Sequence, residues 1–153
     1  MADISALNTL IELATTEVDD AATRLGRAVR AVDEAKQKLD LLAGYREDYA
    51  QRFQNTMANG FTPMAYRNFQ GFMDKLDQAI DGQQQLVRDA EWRVEQERGA
   101  WRESERKRIS YDALASRAKT AADRKVARRE QKQTDEQAER RLLYKRSPST
   151  GLT

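Results

Sequence analysis

The 153-residue chain contains no cysteine and no histidine, and it has only two prolines. Without cysteine it can form neither disulfides nor thiolate metal sites, and without histidine it lacks the commonest general base and metal ligand. It has no apolar stretch of about eighteen residues or more, and Asp3 and Glu12 stand where a signal peptide would be basic and then apolar. We therefore expect a soluble cytoplasmic protein with no catalytic, cofactor or metal site.

Charge is abundant but unevenly distributed along the chain. Residues 1–99 carry 12 Lys and Arg against 17 Asp and Glu, whereas residues 100–153 carry 15 against 8. A basic C-terminal part of this kind is typical of proteins that bind an acidic partner, a nucleic acid or a membrane surface. The charge distribution alone does not choose among them.

Apolar residues follow one repeat over the first third of the chain. From Ile4 to Thr56, sixteen positions are spaced alternately three and four residues apart, and all but Arg46 and Thr56 are apolar or aromatic. Such spacing places the apolar side chains in one stripe of a helix, which a second helix must cover. We call this stripe the seam, and it predicts a first helix over about residues 3–58, with Asp3 as a candidate cap.

The sequence then indicates a turn at residues 59–62 and a second helix over about residues 63–144. Gly60 can adopt the left-handed conformation that ends a helix, and Thr62 followed by Pro63 is typical of a helix start. The second helix repeats the seam from Phe69 to Ala122. Since a short turn places helices antiparallel, we predict an all-α fold, a two-helix antiparallel coiled-coil hairpin that forms one domain over residues 1–146.

The two stripes align when facing residue numbers add up to 122. Phe53 then meets Phe69, and Leu42 meets Ile80. In this register the second helix overhangs the first beyond about Ala118, in a segment with very few apolar residues. An unpaired polar helix is marginal in water, so we expect this overhang to be frayed until a partner binds it. We expect residues 147–153 to be a disordered tail.

Near its start, the second helix has an apolar face wider than one seam. Its residues Phe72, Leu76, Ala79 and Gln83 are spaced by four, three and four. Because a two-stranded coil cannot cover both stripes, we expect Phe72 and Ala79 to stay partly exposed, and with them Phe61 and Tyr66 near the turn. The face is then a protein contact, or else a thickened seam that seals the end of the hairpin.

The overhang has a basic face, with Arg124 and Arg128 one turn apart, Lys125 and Arg129 likewise, and Lys132 following. Like charges at this spacing repel each other, and a partner with carboxylates or phosphates would relieve the repulsion. The alternative is a solvated helix with compensating charges within the segment, such as Glu136 with Arg140.

Several short sequence segments, taken together with their order and spacing, resemble the FliJ family of the bacterial flagellar type III export apparatus. The resemblance extends over most of residues 1–145. The segments are residues 17–20, Leu42 with Tyr45, Arg46 and Tyr49, Asn59 with Gly60, the apolar residues Phe69, Phe72, Leu76 and Ile80, Trp101 with Arg102, and residues 129–132 with Asp135 and Glu136.

The resemblance implies a non-enzymatic stalk between the hexameric export ATPase and the membrane export gate, one that also binds export chaperones. It assigns Phe72, Leu76, Ala79 and Gln83 to the cytoplasmic linker of the gate. It assigns seven residues to the ATPase, namely Arg124, Arg128, Arg129, Gln131, Lys132, Asp135 and Glu136. It further implies a protein that is monomeric when free, needs no cofactor, and lies at the inner face of the cell membrane through protein contacts.

Two other functions compete with this one. An injectisome-type secretion stalk would be a coiled-coil hairpin that acts in the same physical way but binds different partners. A nucleic-acid-binding hairpin would use the basic C-terminal part, although residues 112–143 have no aromatic side chains for base stacking and the basic part, residues 100–153, contains eight acids. An enzyme ranks behind both, because paired acids such as Asp19 and Asp20 point about 100° apart on a helix and have no predicted pocket.

Overall fold

The computed structural model describes residues 4–146, which form two helices, α1 (Ile4–Met57) and α2 (Pro63–Arg146). The described residues contain no strand, and the two helices pack against each other, so the predicted all-α fold is confirmed. Neither helix has a stretch both long and apolar enough to cross a membrane. The candidate cap Asp3 and the predicted disordered tail lie outside the described residues.

The connection between α1 and α2 depends on Gly60 and Thr62. Gly60 has a φ of 91°, and its amide donates a 3.1 Å hydrogen bond to the carbonyl of Met57. The side-chain oxygen Oγ1 of Thr62 accepts a 3.1 Å bond from the amide of Ala65, which would otherwise have no partner in the first turn of α2. Pro63 follows as the first helical residue, where its missing amide costs nothing.

Residues 16–106 form one compact unit, a helical hairpin around the turn. Its core has a buried cluster of Ala28, Val32 and Val94, with Leu25 and Ala90 packed against them. Alanines on one helix meet larger aliphatic residues of the other, so the helices approach closely without overpacking.

Ring and ion-pair contacts establish the register of this hairpin. The rings of Phe53 and Phe69 stack with centroids 3.8 Å apart and an interplanar angle of 7°, which confirms the predicted pair. Farther from the turn, Arg24 Nε lies 3.3 Å from Glu97 Oε2. Both contacts follow from antiparallel helices in the expected alignment.

Among the described residues, 4–15 and 107–146 belong to the second compact unit. On α1, Leu7 and Ala14 are buried here, and Tyr111 and Ala115 on α2 are partly buried. After Ala122, every described side chain is exposed, yet the chain is helical to Arg146, so the expected fraying is not seen. The segment is rich in Ala, Arg, Lys, Glu and Gln, which have high intrinsic helix propensity. The single domain predicted for residues 1–146 stays a prediction.

The predicted seam agrees closely with burial. All sixteen seam positions of α2 are buried or partly buried, and on α1 only Ile4, Tyr49 and Thr56 are exposed. Ile4 and Thr56 lie in the first and last turns of α1, where fewer neighbours are available to cover a side chain. Tyr49 has a ring too large for the two helices to enclose, and 37% of it remains exposed.

We expect Gly60→Ala to lower the free energy of unfolding by about 1–2 kcal/mol, because alanine is strained in the left-handed conformation. An added Cβ meets nothing within 4 Å at Gly60, so only the backbone conformation is tested. The matched control is Gly99→Ala, at an open helical position, which should stabilise by about 1 kcal/mol. Urea unfolding followed by circular dichroism measures both. Equal effects of the two substitutions would contradict the role of Gly60.

Candidate functional site

Phe72, Leu76, Ala79 and Gln83 lie along one side of α2 in the hairpin unit, and we call them the apolar stripe. Phe72 is 44% exposed and Ala79 is also exposed, as the sequence predicted, whereas Leu76 and Gln83 are partly buried. The stripe therefore presents an apolar surface to solvent while two of its residues contribute to helix packing.

Phe72 belongs to an aromatic cluster at the turn end of the hairpin. The cluster consists of Tyr49, Phe53, Phe61, Tyr66, Phe69 and Phe72. The Phe72 ring lies 4.4 Å from that of Tyr49, and Phe61 and Tyr66 are 45% and 40% exposed. The rings thus seal the hairpin and also leave apolar surface outside, so the two interpretations of this face are compatible.

Gln83 is held in place by α1. Its side-chain Nε2 donates a 3.0 Å hydrogen bond to the backbone carbonyl of Ala35. One N–H of the amide is therefore used inside the molecule, which leaves its second N–H and its oxygen for a partner. This contact gives Gln83 a structural role in the seam, where the repeat of the second helix places it.

Leu86 was missed by the sequence analysis and extends the apolar stripe. It lies three residues beyond Gln83, so the spacing continues as four, three, four, three, and its side chain is 55% exposed. Carrying the same spacing one step further would have found it. Trp92 is 64% exposed and lies off the seam.

The residues assigned to the ATPase form the second candidate surface, which we call the basic segment. Its members Arg124, Arg128, Arg129, Gln131, Lys132, Asp135 and Glu136 are all exposed. They fall into two neighbouring stripes, one at positions 124, 128, 131 and 135 and the other at positions 129, 132 and 136. At about 100° per residue, the two stripes occupy about half of the helix circumference.

The arginines and lysine of the basic segment form no described ion pair, although Asp135 and Glu136 lie in the same segment. Arg128, Arg129 and Lys132 form no ion pair with any of residues 4–146. The proposed pair of Glu136 with Arg140 is also absent from the described ion pairs, while Asp135 accepts a 3.1 Å bond from Gln131 Nε2. The positive charge is thus left to solvent or to a partner.

Arg46, a polar exception in the predicted seam, pairs across the hairpin with Asp77. Its Nε and Nη2 lie 2.5 Å and 3.5 Å from the two carboxylate oxygens. Hydrogen bonding to Arg46, and then its charge, hold the pKa of Asp77 below the ordinary value, although desolvation opposes this. The same pair raises the pKa of Arg46. The pair contributes to the register of the hairpin and lies outside both candidate surfaces.

These features define a coiled-coil protein whose candidate surfaces lie along exposed helix faces. Residues 4–146 contain no group of three or more carboxylates that could hold a metal ion. A sequence profile of the family described as "Flagellar FliJ protein" matches residues 3–147.

Two proteins named "Flagellar FliJ protein" are similar to this chain. The one from Escherichia coli (strain K12) is 33% identical over 145 residues, which cover 95% of this chain and 99% of that protein. The one from Salmonella typhi is 33% identical over 147 residues, with the same coverage. The chain belongs to the flagellar FliJ family, which confirms the resemblance seen in the sequence.

We expect Asp77→Asn to lower the urea midpoint at pH 7 and to lose this effect as the pH falls. The pKa of Asp77 is depressed on folding, so its stabilisation is present above the unfolded value of about 3.9 and disappears as the pH falls through the lower folded value. The control is Asp81→Asn on the same helix, at an exposed residue without an ion pair. An effect of Asp77→Asn that is as large at pH 2 as at pH 7 would contradict the pairing.

Proposed function

We propose that the protein is a non-enzymatic coiled-coil stalk component of the flagellar type III protein export apparatus. In this role it links the hexameric export ATPase to the membrane export gate and binds export chaperones. Membership of the flagellar FliJ family supports the flagellar part of the proposal. The observation that carries the stalk role is the helical basic segment, which has no covering helix and in which Arg128, Arg129 and Lys132 form no ion pair with any of residues 4–146.

The basic segment is suited to a polar protein surface rather than an apolar groove. It has few apolar side chains, so hydrophobic burial cannot drive its binding, and complementary carboxylates must supply most of the attraction. Gln131, Asp135 and Glu136 add hydrogen-bonding groups that can select among acidic surfaces. We assign this segment to the export ATPase.

The apolar stripe is suited to a different kind of contact. Burying apolar surface is favourable by about 25 cal/mol per Å², and Phe72 and Leu86 expose much of their surface. Their spacing follows one helix face, which fits a partner segment that lies along α2. We assign this face to the cytoplasmic linker of the export gate and include Leu86 in it.

The proposed mechanism is a coupling of binding free energies without chemistry on this chain. Contacts at the basic segment bias the ATPase only if they differ between its conformations, and the same holds for the stripe and the gate. A stalk of this kind would be a monomer when free and would lie at the inner face of the cell membrane through its protein partners.

Charge reversal by Arg128→Glu plus Arg129→Glu should weaken binding to the cognate export ATPase by at least about tenfold and abolish any stimulation of ATP hydrolysis. Both side chains are exposed, so circular dichroism should be unchanged. Arg27→Glu plus Arg30→Glu, at exposed positions of α1, makes the same change in net charge and should bind normally. ATPase assays and hexamer formation measured by light scattering test these variants.

If the unmodified protein has no effect on the ATPase, the stalk proposal is wrong. The same preparation should be tested for filter binding to DNA and RNA across a salt series. Tight, steeply salt-dependent binding to nucleic acid, with no ATPase binding, would favour the nucleic-acid-binding hairpin instead.

Ala79→Glu should reduce binding to the gate linker by at least about tenfold, because it places a charge within the apolar stripe without removing a packed side chain. Ala100→Glu is the matched control, at another exposed alanine of α2. Isothermal titration with the isolated linker measures the affinity. Equal losses in the two variants would show that the effect comes from charge alone and would contradict the assignment.

A further inference from the structure

The turn end of the hairpin contains the longest stretch of the chain without an acidic residue. Asp and Glu make up 25 of the 153 residues, about one in six, yet residues 49–73 contain neither. The only charged residues in this stretch are Arg52 and Arg67, and all four phenylalanines of the chain lie in it. This end of the hairpin is therefore apolar and weakly basic, in a chain of which 34% is charged.

Apolar side chains are exposed around the turn itself, at residues 57–66, which we call the tip. Met57, Phe61, Met64 and Tyr66 are 40%, 45%, 73% and 40% exposed. They lie on both sides of the left-handed Gly60, so the exposed apolar surface is the convex end of the hairpin rather than a groove between helices. The tip shares no residue with the apolar stripe.

The tip is small for a contact between proteins. A fully exposed side chain of this size has about 150–250 Å² of surface, so the four exposed fractions amount to on the order of 400 Å². A protein interface of standard size buries about 800 Å² on each partner. A bilayer requires no complementary shape, because apolar and aromatic side chains enter the boundary between headgroups and acyl chains individually. The tip therefore fits a lipid surface better than a second folded protein.

Arg52 and Arg67 are placed to contact lipid phosphates. Both are exposed, and neither forms an ion pair with any of residues 4–146. Arg52 lies five residues before the end of α1 and Arg67 four residues after the start of α2, so each is about 6–8 Å from the tip end of its helix. The headgroup region of a bilayer is about 5–8 Å thick on each side. Both arginines therefore reach the depth of the phosphates when Phe61 and Met64 reach the acyl boundary.

The charge of the bilayer follows from the missing acids. An anionic surface attracts Arg and repels Asp and Glu, and residues 49–73 contain no group that it would repel. The turn also limits the depth of the contact, because backbone groups outside a helix cannot stay unpaired in hydrocarbon. The contact expected from these residues is therefore interfacial, with an anionic lipid.

We propose that the tip inserts Phe61 and Met64 into the interface of an anionic phospholipid bilayer, with Arg52 and Arg67 bound to lipid phosphates. The site goes beyond the proposed stalk contacts and does not depend on them. It would give the protein a lipid contact of its own, in addition to contacts through protein partners.

A tryptophan at the tip tests insertion in the full-length protein. Phe61→Trp adds a fluorophore there, whereas the native Trp92 lies about 44 Å from Pro63 along α2. Vesicles of phosphatidylcholine with about one-third phosphatidylglycerol should shift the emission of Phe61→Trp to shorter wavelength, and brominated acyl chains should quench it. The unmodified protein should show neither change. Vesicles of phosphatidylcholine alone should require at least about fivefold more lipid for the same shift.

Met64→Glu, added to Phe61→Trp, should raise the lipid concentration needed for half of the emission shift by at least about tenfold, because a carboxylate must then enter the interface. Glutamate in the first turn of a helix is favourable, so the circular dichroism spectrum should be unchanged. Leu13→Glu is the matched control, at a 58% exposed leucine of the other compact unit, and should leave insertion normal.

Arg52→Gln plus Arg67→Gln should reduce the preference for anionic vesicles by at least about fivefold. Arg27→Gln plus Arg30→Gln removes the same charge at exposed positions of α1 and should keep the preference.

The basic segment also attracts anionic lipid, so its contribution is separated by Arg128→Glu plus Arg129→Glu. This change should lower the amount of protein bound to vesicles but leave the quenching of each bound Phe61→Trp protein unchanged.

No vesicle binding, unchanged emission of Phe61→Trp on vesicles that do bind it, or equal insertion by Met64→Glu would overturn the proposal. Sedimentation velocity and titration with the isolated gate linker address the other occupants. Self-association that Met64→Glu abolishes would show that the tip takes a second copy of this chain, and loss of linker binding in Met64→Glu would show that it contacts the gate. The lipid proposal would be wrong in either case. Met64 lies outside the apolar stripe and the basic segment, so failure here is distinguishable from failure of the stalk proposal.

Discussion

The register in which α1 faces α2 is the constraint on which the rest of the hairpin depends. The left-handed Gly60 turns the chain, and the stacked pair of Phe53 and Phe69 aligns the helices just beyond it. A shift of one residue would rotate each seam side chain by about 100° and expose apolar surface along residues 16–106. Each residue pair from the turn outward therefore reinforces the same alignment, and the exposed faces are those that this alignment leaves uncovered.

Exposure in this molecule has two different origins. The apolar stripe is exposed because α2 near the turn carries more large side chains than two helices can enclose, with Phe72 against Tyr49 as the clearest case. The basic segment is exposed because every described residue after Ala122 lacks a covering helix. The first surface can gain free energy by burying apolar area and the second by pairing charge, so the two surfaces differ in the chemistry that would stabilise a contact.

The distribution of ion pairs supports this division between stability and binding. The pairs Arg24 with Glu97 and Arg46 with Asp77 cross between the helices within the hairpin unit. They are partly exposed to solvent and contribute modestly to stability, but they favour one alignment over others. In the basic segment the arginines and lysines have no such partners among residues 4–146. The positive charges of the basic segment therefore add little to the stability of the fold and are free to contact a partner.

The sequence by itself determined the helical class, the seam, the Phe53–Phe69 pair, the Thr62 cap and the exposure of Phe72 and Ala79. These depend on periodicity and on local turn chemistry, which are properties of residue order. Only the tertiary structure decided that Arg46 pairs with Asp77, that Gln83 bonds to the carbonyl of Ala35, and that the rings of Tyr49 and Phe72 meet. These contacts depend on side-chain conformations and on distances across two helices, and a repeat along one chain contains neither.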